Sequence, residues 1–314
     1  MNKVAVIAVG GNALASESGA VSIADQAKAA ARTARYVADV VTAGWSVVLT
    51  HGNGPQVGYI LRRSELSAAE IPPVPMDYAT ADTQGAIGVM FQRGFLNELQ
   101  SRKMTQRVAT VVTQVEVDPG DPAFAFPTKP IGSVMDHDTA SALAGQYGWA
   151  IVEEKGRGWR RSVASPQPKR IIEIETVRSL LDSNHIVIAC GGGGVPVVVD
   201  ADGNLTGREA VIDKDLASSL LAQQLGAKRL LIATAVPQVA IRFGTPDVEW
   251  LDRLTLEDAA RYMDDGQFGA GSMAPKVSAV MEYVRNCDGE GIVTDIEHMG
   301  EALEGKAGTR ILRS

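Results

Sequence analysis

The 314-residue chain has 45% hydrophobic and 21% charged residues, the balance of a soluble globular protein, and its length suits one large α/β domain or two joined lobes. A formal charge of −7 argues against general nucleic-acid or anionic-membrane binding, since both need a basic face. Cys190 and Cys287 form no CxxC, zinc spacing or disulfide framework, and the opening MNKVAVIAVGGNAL is too short an apolar stretch for a signal-peptide core or membrane span, so a reducing, cytoplasmic setting is expected.

Residues 3–9 (KVAVIAV) predict the first strand. Residues 23–43 place Ile23, Ala27, Ala30, Ala34, Val37 and Val41 on one helical stripe, with Ser22 as N-cap and Gly44 just past the end. Further strands are expected at 45–50, 108–113, 185–190, 229–234 and 291–294, each apolar on both faces as in a buried parallel sheet. Residues 118–132 and 155–170, rich in Pro, Gly and charge, predict an irregular excursion. Residues 213–225 form a second clear helix, with Leu216, Leu220, Leu221 and Leu225 inward and Gly226 as the stop. This alternation predicts an α/β fold, an open and mostly parallel sheet between helices. The expected organisation is an N-terminal lobe over residues 1–184 and a C-terminal lobe over 185–314.

In such sheets, ligands bind outside the carboxyl ends of the strands. Three predicted strands end in glycine turns: Gly10-Gly11-Asn12, His51-Gly52-Asn53-Gly54-Pro55 and Gly191-Gly192-Gly193-Gly194. Each alone reads as an ordinary turn; together they point to a phosphate site, where backbone N–H groups and helix N-termini face an anion. No GxGxxG occurs, and residues 300–307 have P-loop spacing but put Ala307 where a Ser or Thr is required.

Three lysines stand in unusual settings. Lys129 lies between Pro127-Thr128 and Pro130, Lys214 between Asp213 and Asp215 at a helix start, and Lys276 after Gly271-Ser272-Met273-Ala274-Pro275. Each alone also reads as a solvated surface lysine, and Asp213 and Asp215 also read as simple N-terminal helix charges. Together they suit phosphoryl transfer, which is mainly positioning and neutralising charge. GxSxG, HExxH and Cys-His arrangements are absent, so His51, His137, His185 and His298 read as structural or peripheral.

The runs Gly10-Gly11-Asn12-Ala13-Leu14, Thr50-His51-Gly52-Asn53-Gly54-Pro55-Gln56-Val57-Gly58, Thr83-Gln84-Gly85-Ala86-Ile87-Gly88, Pro127-Thr128-Lys129-Pro130-Ile131-Gly132, Cys190-Gly191-Gly192-Gly193-Gly194-Val195-Pro196, Ala210-Val211-Ile212-Asp213-Lys214-Asp215-Leu216-Ala217 and Gly271-Ser272-Met273-Ala274-Pro275-Lys276-Val277 resemble, in order, the signatures of carbamate kinases within the amino acid kinase family. The resemblance implies a three-layer α/β/α fold, a homodimer, ATP/ADP and Mg²⁺, and the reaction ATP + carbamate ⇌ ADP + carbamoyl phosphate, run toward ATP in arginine breakdown. By the same resemblance, Gly10, Gly11, Asn12, Gly52, Asn53 and Gly54, with Gly191, Gly192 and Gly193, hold the acceptor and phosphates. Lys129, Lys214 and Lys276 neutralise the transferring group and Asp213 orients the lysines. Thr234, Ala235 and Met273 fall in the nucleotide half, and no protein ligand to the metal is assigned. A small subdomain at about residues 118–170 protrudes over the site. It carries the basic cluster Lys155, Arg157, Arg160, Arg161, Lys169 and Arg170, which reads equally as a solvated loop.

Other amino acid kinases resemble one another in a Lys just before the first Gly-Gly. Here Ala8-Val9 stands there and Lys129 is present, the carbamate kinase pattern. One departure is clear: where the family reads Thr-Asp-Val-Asp, this chain reads Thr234-Ala235-Val236-Pro237. The alternatives are a same-fold kinase for another small acid or nucleotide, and a non-catalytic binding or regulatory homologue.

Overall fold

The computed structural model describes residues 3–11, 22–154, 156–269 and 271–314. Strand β1 (Lys3–Val9), helix α1 (Ile23–Thr42) and strand β2 (Trp45–His51) open the chain, followed by α2 (Gln56–Leu66) and the long α3 (Met76–Ser101). Next come β3 (Arg107–Thr110), β4 (Gln114–Val117), β5 (Lys129–Met135), α4 (His137–Tyr147), β6 (Ala150–Glu154) and β7 (Gly158–Val163). After β8 (Pro168–Ile171), α5 (Ile174–Asp182) and β9 (His185–Ile188), the chain makes β10 (Val195–Val199), β11 (Leu205–Gly207), α6 (Lys214–Leu225) and β12 (Arg229–Thr234). It ends with β13 (Val239–Ile241), β14 (Glu249–Leu251), β15 (Arg253–Thr255), α7 (Leu256–Asp264), α8 (Met273–Asn286), β16 (Glu290–Asp295), α9 (Met299–Leu303) and β17 (Thr309–Leu312).

The main sheet runs β15-β17-β16-β12-β1-β2-β9-β3, parallel through its centre. Alternate side chains of its strands feed two cores. Val6, Ala8, Val48, Val187, Leu230 and Ile232 pack toward α6 and α8. Ala5, Ile7, Leu49, Ile188, Leu231 and Ile292 pack toward α1, α3 and α9. Burial on both faces is why these strands read as continuous apolar runs. All the predicted strands form, and the fold is the expected three-layer α/β/α. β9 lies between β2 and β3, so the half of the chain from residue 185 onward begins inside the sheet's N-terminal side.

The Ser22 hydroxyl caps α1 by accepting from the Asp25 N–H at 3.2 Å. Of the predicted stripe, Ala30, Ala34, Val37 and Val41 are buried, but Ile23 is 63% exposed. Buried Gln26 faces inward in that turn instead, accepting from Gln56 Nε2 at 3.0 Å.

The predicted irregular excursion is corrected: β5, β7 and β6 pair antiparallel, in that order, into a small sheet covered by α4, and β8 joins β11-β10-β4 in another. Pro130 is tolerated because β5 is an edge strand, where a missing N–H costs no ladder bond. Among the described residues no helix is long and apolar enough to cross a membrane.

Candidate active site

The parallel strands deliver their ends to one edge of the sheet. Val9 of β1 pairs in register with His51 of β2 and with Ala233 of β12, so Gly10, Gly52 and Thr234 come out side by side. A cleft of about 400 Å³ opens here, between the main sheet and the protruding subdomain. Gly52, Asn53, Gly54, Lys129, Arg160, Gly192, Asp213, Lys214, Asp215 and Lys276 all line it.

The lysines are organised by two neighbouring carboxylates at the N-terminus of α6. Asp213 is the N-cap, its Oδ1 accepting from the Asp215 N–H at 2.8 Å. Its Oδ2 accepts from Lys129 Nζ at 2.9 Å, joining β5 of the protruding subdomain to the main domain. Asp215, with its side chain only 4% exposed, holds the other two lysines: Lys214 on Oδ1, and Lys276 from α8 on Oδ2 at 3.0 Å. The Lys214 stem crosses Gly10 and Gly52, where a Cβ would stand 4.0 and 3.7 Å from it. Asp213 was expected to orient the lysines as a group. It binds Lys129, and Asp215 binds the pair.

Burial disfavours charge on Asp213, but Lys129 beside it and the Asp215 N–H outweigh this, and its carboxyl falls to about 2. Burial likewise opposes ionisation of Asp215, and the two lysine ammoniums still hold it below the usual carboxylate range. Burial, and then repulsion from Lys276, lower the pKa of Lys214 against the attraction of Asp215. The result is a dense set of fixed charges at the cleft wall, preorganised to meet an anion.

The glycine turns do different jobs. Gly192 lines the cleft at φ +67, and any Cβ on it would sit 1.9 Å from Asn53 Oδ1. Gly191 and Gly193 are buried behind the wall, against the His51 ring and the Ile212 carbonyl. Asn53 is itself fixed, accepting from Thr83 Oγ1 of α3 at 2.6 Å. The next residue, Gln84, clasps the Thr113 backbone through 2.8 and 3.0 Å bonds. Gly88, one turn on, lets α3 approach β3, since a Cβ there would meet Thr110 Cγ2 at 2.4 Å. Gly11 is exposed at the end of β1. Asn12 lies outside the described residues. Met273 begins α8, while Thr234, partly buried, and exposed Ala235 lie at the end of β12.

Sequence reading missed Asp215 as the shared partner and Arg160 as a cleft residue. The Asp-Lys-Asp pattern carried the first signal, but two carboxylates flanking a helix start do not say which one turns inward. The basic cluster is mostly ion-paired: Arg160 and Arg157 bind Glu154, Lys169 binds Asp118 and Arg170 binds Glu116. Lys155 lies outside the described residues.

His51 is structural, as its sequence context implied. Its ring is 1% exposed, stacks on Phe91 at 5.8 Å, and its Nδ1 lies 3.0 Å from the Gly52 carbonyl. Burial, aided by the Lys214 charge and opposed by that carbonyl, pulls its pKa from 6.5 to about 4. A base with a depressed folded pKa makes the unfolded chain the better proton binder, so its contribution is complete above pH 6.5 and is lost as pH falls toward 4. Unfolding free energy is expected to drop by roughly 3 kcal/mol from this group across that window. His51→Asn, whose Nδ2 can keep the bond to Gly52, should flatten the dependence in urea titrations at pH 7, 5.5 and 4.5; an equal slope in both proteins contradicts it.

The chain belongs to the amino acid kinase family, whose sequence profile matches residues 3–295. It is 45% identical over 314 residues to a carbamate kinase of Pyrococcus furiosus, covering 99% of this chain and 100% of that one. It is also 47% identical over 315 residues to the carbamate kinase-like protein YqeA of Escherichia coli, covering 99% of each. Among solved structures, the carbamate kinase of Giardia lamblia bound to AMP-PNP superposes with a TM-score of 0.92 at 38% identity, covering 99% of this chain and 98% of that one.

Proposed function

We propose that this chain transfers a phosphoryl group between ATP or ADP and carbamate, ATP + carbamate ⇌ ADP + carbamoyl phosphate. The observation that carries this reading is the clamp of Lys214 and Lys276 on one buried carboxylate, facing Lys129 across the cleft. A carbamate oxygen is already anionic, so the site needs charge neutralisation and positioning rather than a general base. Lys214, lying over Gly10 and Gly52, and Lys276 stabilise charge on the moving group. Lys129, with Asp213 as its partner, and Arg160 close over it from the protruding side. The backbone at Gly10, Gly11, Gly52, Asn53, Gly54 and Gly192 receives acceptor and phosphate oxygens, and Thr234, Ala235 and Met273 border the nucleotide.

Among the described residues no three metal-ligating side chains cluster, and Asp213 and Asp215 are engaged by lysines. This donor set fits a Mg²⁺ ion carried mainly by the nucleotide's phosphates. Bound there, the ion supplies charge neutralisation. The lobes at residues 1–184 and 185–314 then divide acceptor and nucleotide binding, and the setting is the cytoplasm, with flux toward ATP in arginine breakdown. The direct test is a coupled assay for ATP formed from ADP and carbamoyl phosphate. No ATP at millimolar substrates, from protein with a cooperative melt, refutes the reading.

The chain also acts as a homodimer in this reading. Tyr78, Val89 and Leu96 of α3 and Val112 beyond edge strand β3 expose apolar surface at 65%, 47%, 51% and 50%, beside the open edge of the main sheet. Light scattering at micromolar concentration should give about twice the 33.2 kDa chain mass, and Val89→Asp with Leu96→Asp should halve it. A wild-type mass near one chain counts against the dimer.

A further inference from the structure

Two adjoining cavities of about 170 Å³ each lie between α2 and the protruding subdomain, and both are lined by Leu61, Glu65, Trp149 and Arg161. The inner one also touches Gly58, Ile131 and Gly132, which line the phosphoryl cleft as well, so the two spaces adjoin through a shared wall. Strand alternation creates the division. Arg160 of β7 points into the cleft, and Arg161 points the other way, held in the central strand between Ile131 of β5 and Ile151 of β6.

Arg161 is a half-buried cation making no ion pair among the described residues. Its guanidinium lies over the Trp149 ring, 4.8 Å from the centroid, and Trp149 in turn stacks on Tyr147. A guanidinium resting on an aromatic face keeps its in-plane N–H fork free for a carboxylate. The other charges of the inner cavity offset each other, Arg62 binding Glu65 at 3.3 Å. Glu209 stands exposed at the outer cavity. The inner cavity therefore holds one cation without an ion-pair partner among the described residues, beside Leu61, Ile131, Met135, Leu143 and Trp149, with Glu209 across the outer cavity attracting it without contact. Burial lowers the Arg161 pKa against the attraction of Glu209 and Glu65.

We propose that this pocket binds a small carboxylic acid with an apolar body, the carboxylate on the Arg161 fork and the body against Trp149 and Leu143. The volume sets the size well below that of a drug-like ligand. Carbamate has no tail to extend there, so on the proposed reaction such an acid is a separate effector bound under the protruding subdomain, beside the transfer cleft.

The test is calorimetry or ligand-observed NMR with 3-phenylpropionate, and with 3-phenylpropionamide as its uncharged counterpart. The acid should bind saturably and the amide about tenfold or more weaker. Arg161→Met should abolish acid binding. Arg161→Lys, which keeps the charge but loses the fork, should weaken it, and serves if the Met variant does not fold. Lys214→Met should leave acid binding unchanged while changing turnover, which separates this pocket from the transfer site. Equal binding of acid and amide, full binding by a folded Arg161→Met variant, or no binding of the acid overturns the proposal. Simultaneous binding of the acid and carbamoyl phosphate supports a separate effector pocket, and displacement of the acid by carbamoyl phosphate overturns it.

Discussion

Changing either Lys214 or Lys276 to Met is expected to lower kcat by about 10²-fold or more, with much smaller changes in KM. Both ammoniums are fixed before substrate arrives, so their contribution falls on the state in which phosphoryl charge is redistributed. Each single variant leaves Asp215 bound to the remaining lysine, so the fold should survive. The double variant should not fare as well, because a buried carboxylate stripped of both partners costs about 3–5 kcal/mol. Lys129→Ala should be similarly damaging to turnover, since it also unfastens Asp213 from the protruding subdomain. Lys28→Ala is the control, its side chain being 81% exposed. Near-wild-type turnover in both methionine variants would refute the assigned roles.

The second large effect concerns Ala235 and Pro237. Both are exposed in the bend between β12 and β13, at the edge where Thr234 emerges beside Gly10. The resemblance to carbamate kinases puts carboxylates at both places, and this chain has a methyl group and a ring without an N–H. If those acids contact the nucleotide, each lost charge-assisted hydrogen bond is worth roughly 1.5–3 kcal/mol, and nucleotide affinity falls by one to several factors of ten. The three lysines line the cleft, whose lining does not include Ala235 or Pro237, and are untouched. The expected result is a protein that keeps its phosphoryl site but binds ATP weakly or prefers another nucleotide, and in which Ala235→Asp with Pro237→Asp tightens ATP binding in calorimetry. Low-micromolar ATP binding by the natural chain, weakened by the double change, would show that the bend varies neutrally.

The main sheet could be read from the chain because its strands are buried on both faces, and such strands announce themselves as unbroken apolar runs from Val4 to Val9 or from Leu230 to Ala233. Helix α6 was equally plain, with Asp213 and Gly226 at its two ends. The protruding sheet was not legible. β5 carries Pro130 and β7 carries Arg160 and Arg161, so neither has the apolar alternation that marks a strand, and only pairing with each other and with β6 makes them strands.

At the site, residue types and spacing determined that Lys129, Lys214 and Lys276 belong with the glycine turns, because short-range chemistry of that kind is written in contiguous motifs. Which carboxylate serves which lysine was decided by tertiary structure. Asp213 and Asp215 lie two residues apart at a helix start, where the cap geometry turns one toward β5 and the other inward to α8. Gly191, Gly192 and Gly193 look alike in sequence, yet one faces the cleft and two fill space behind it. Arg160 and Arg161 are chain neighbours, and the pleat of β7 sends them to different pockets. Separations of tens of residues close only when the sheet and its cover pack together, so the final assignment of partners rests on long-range contacts that no local pattern encodes.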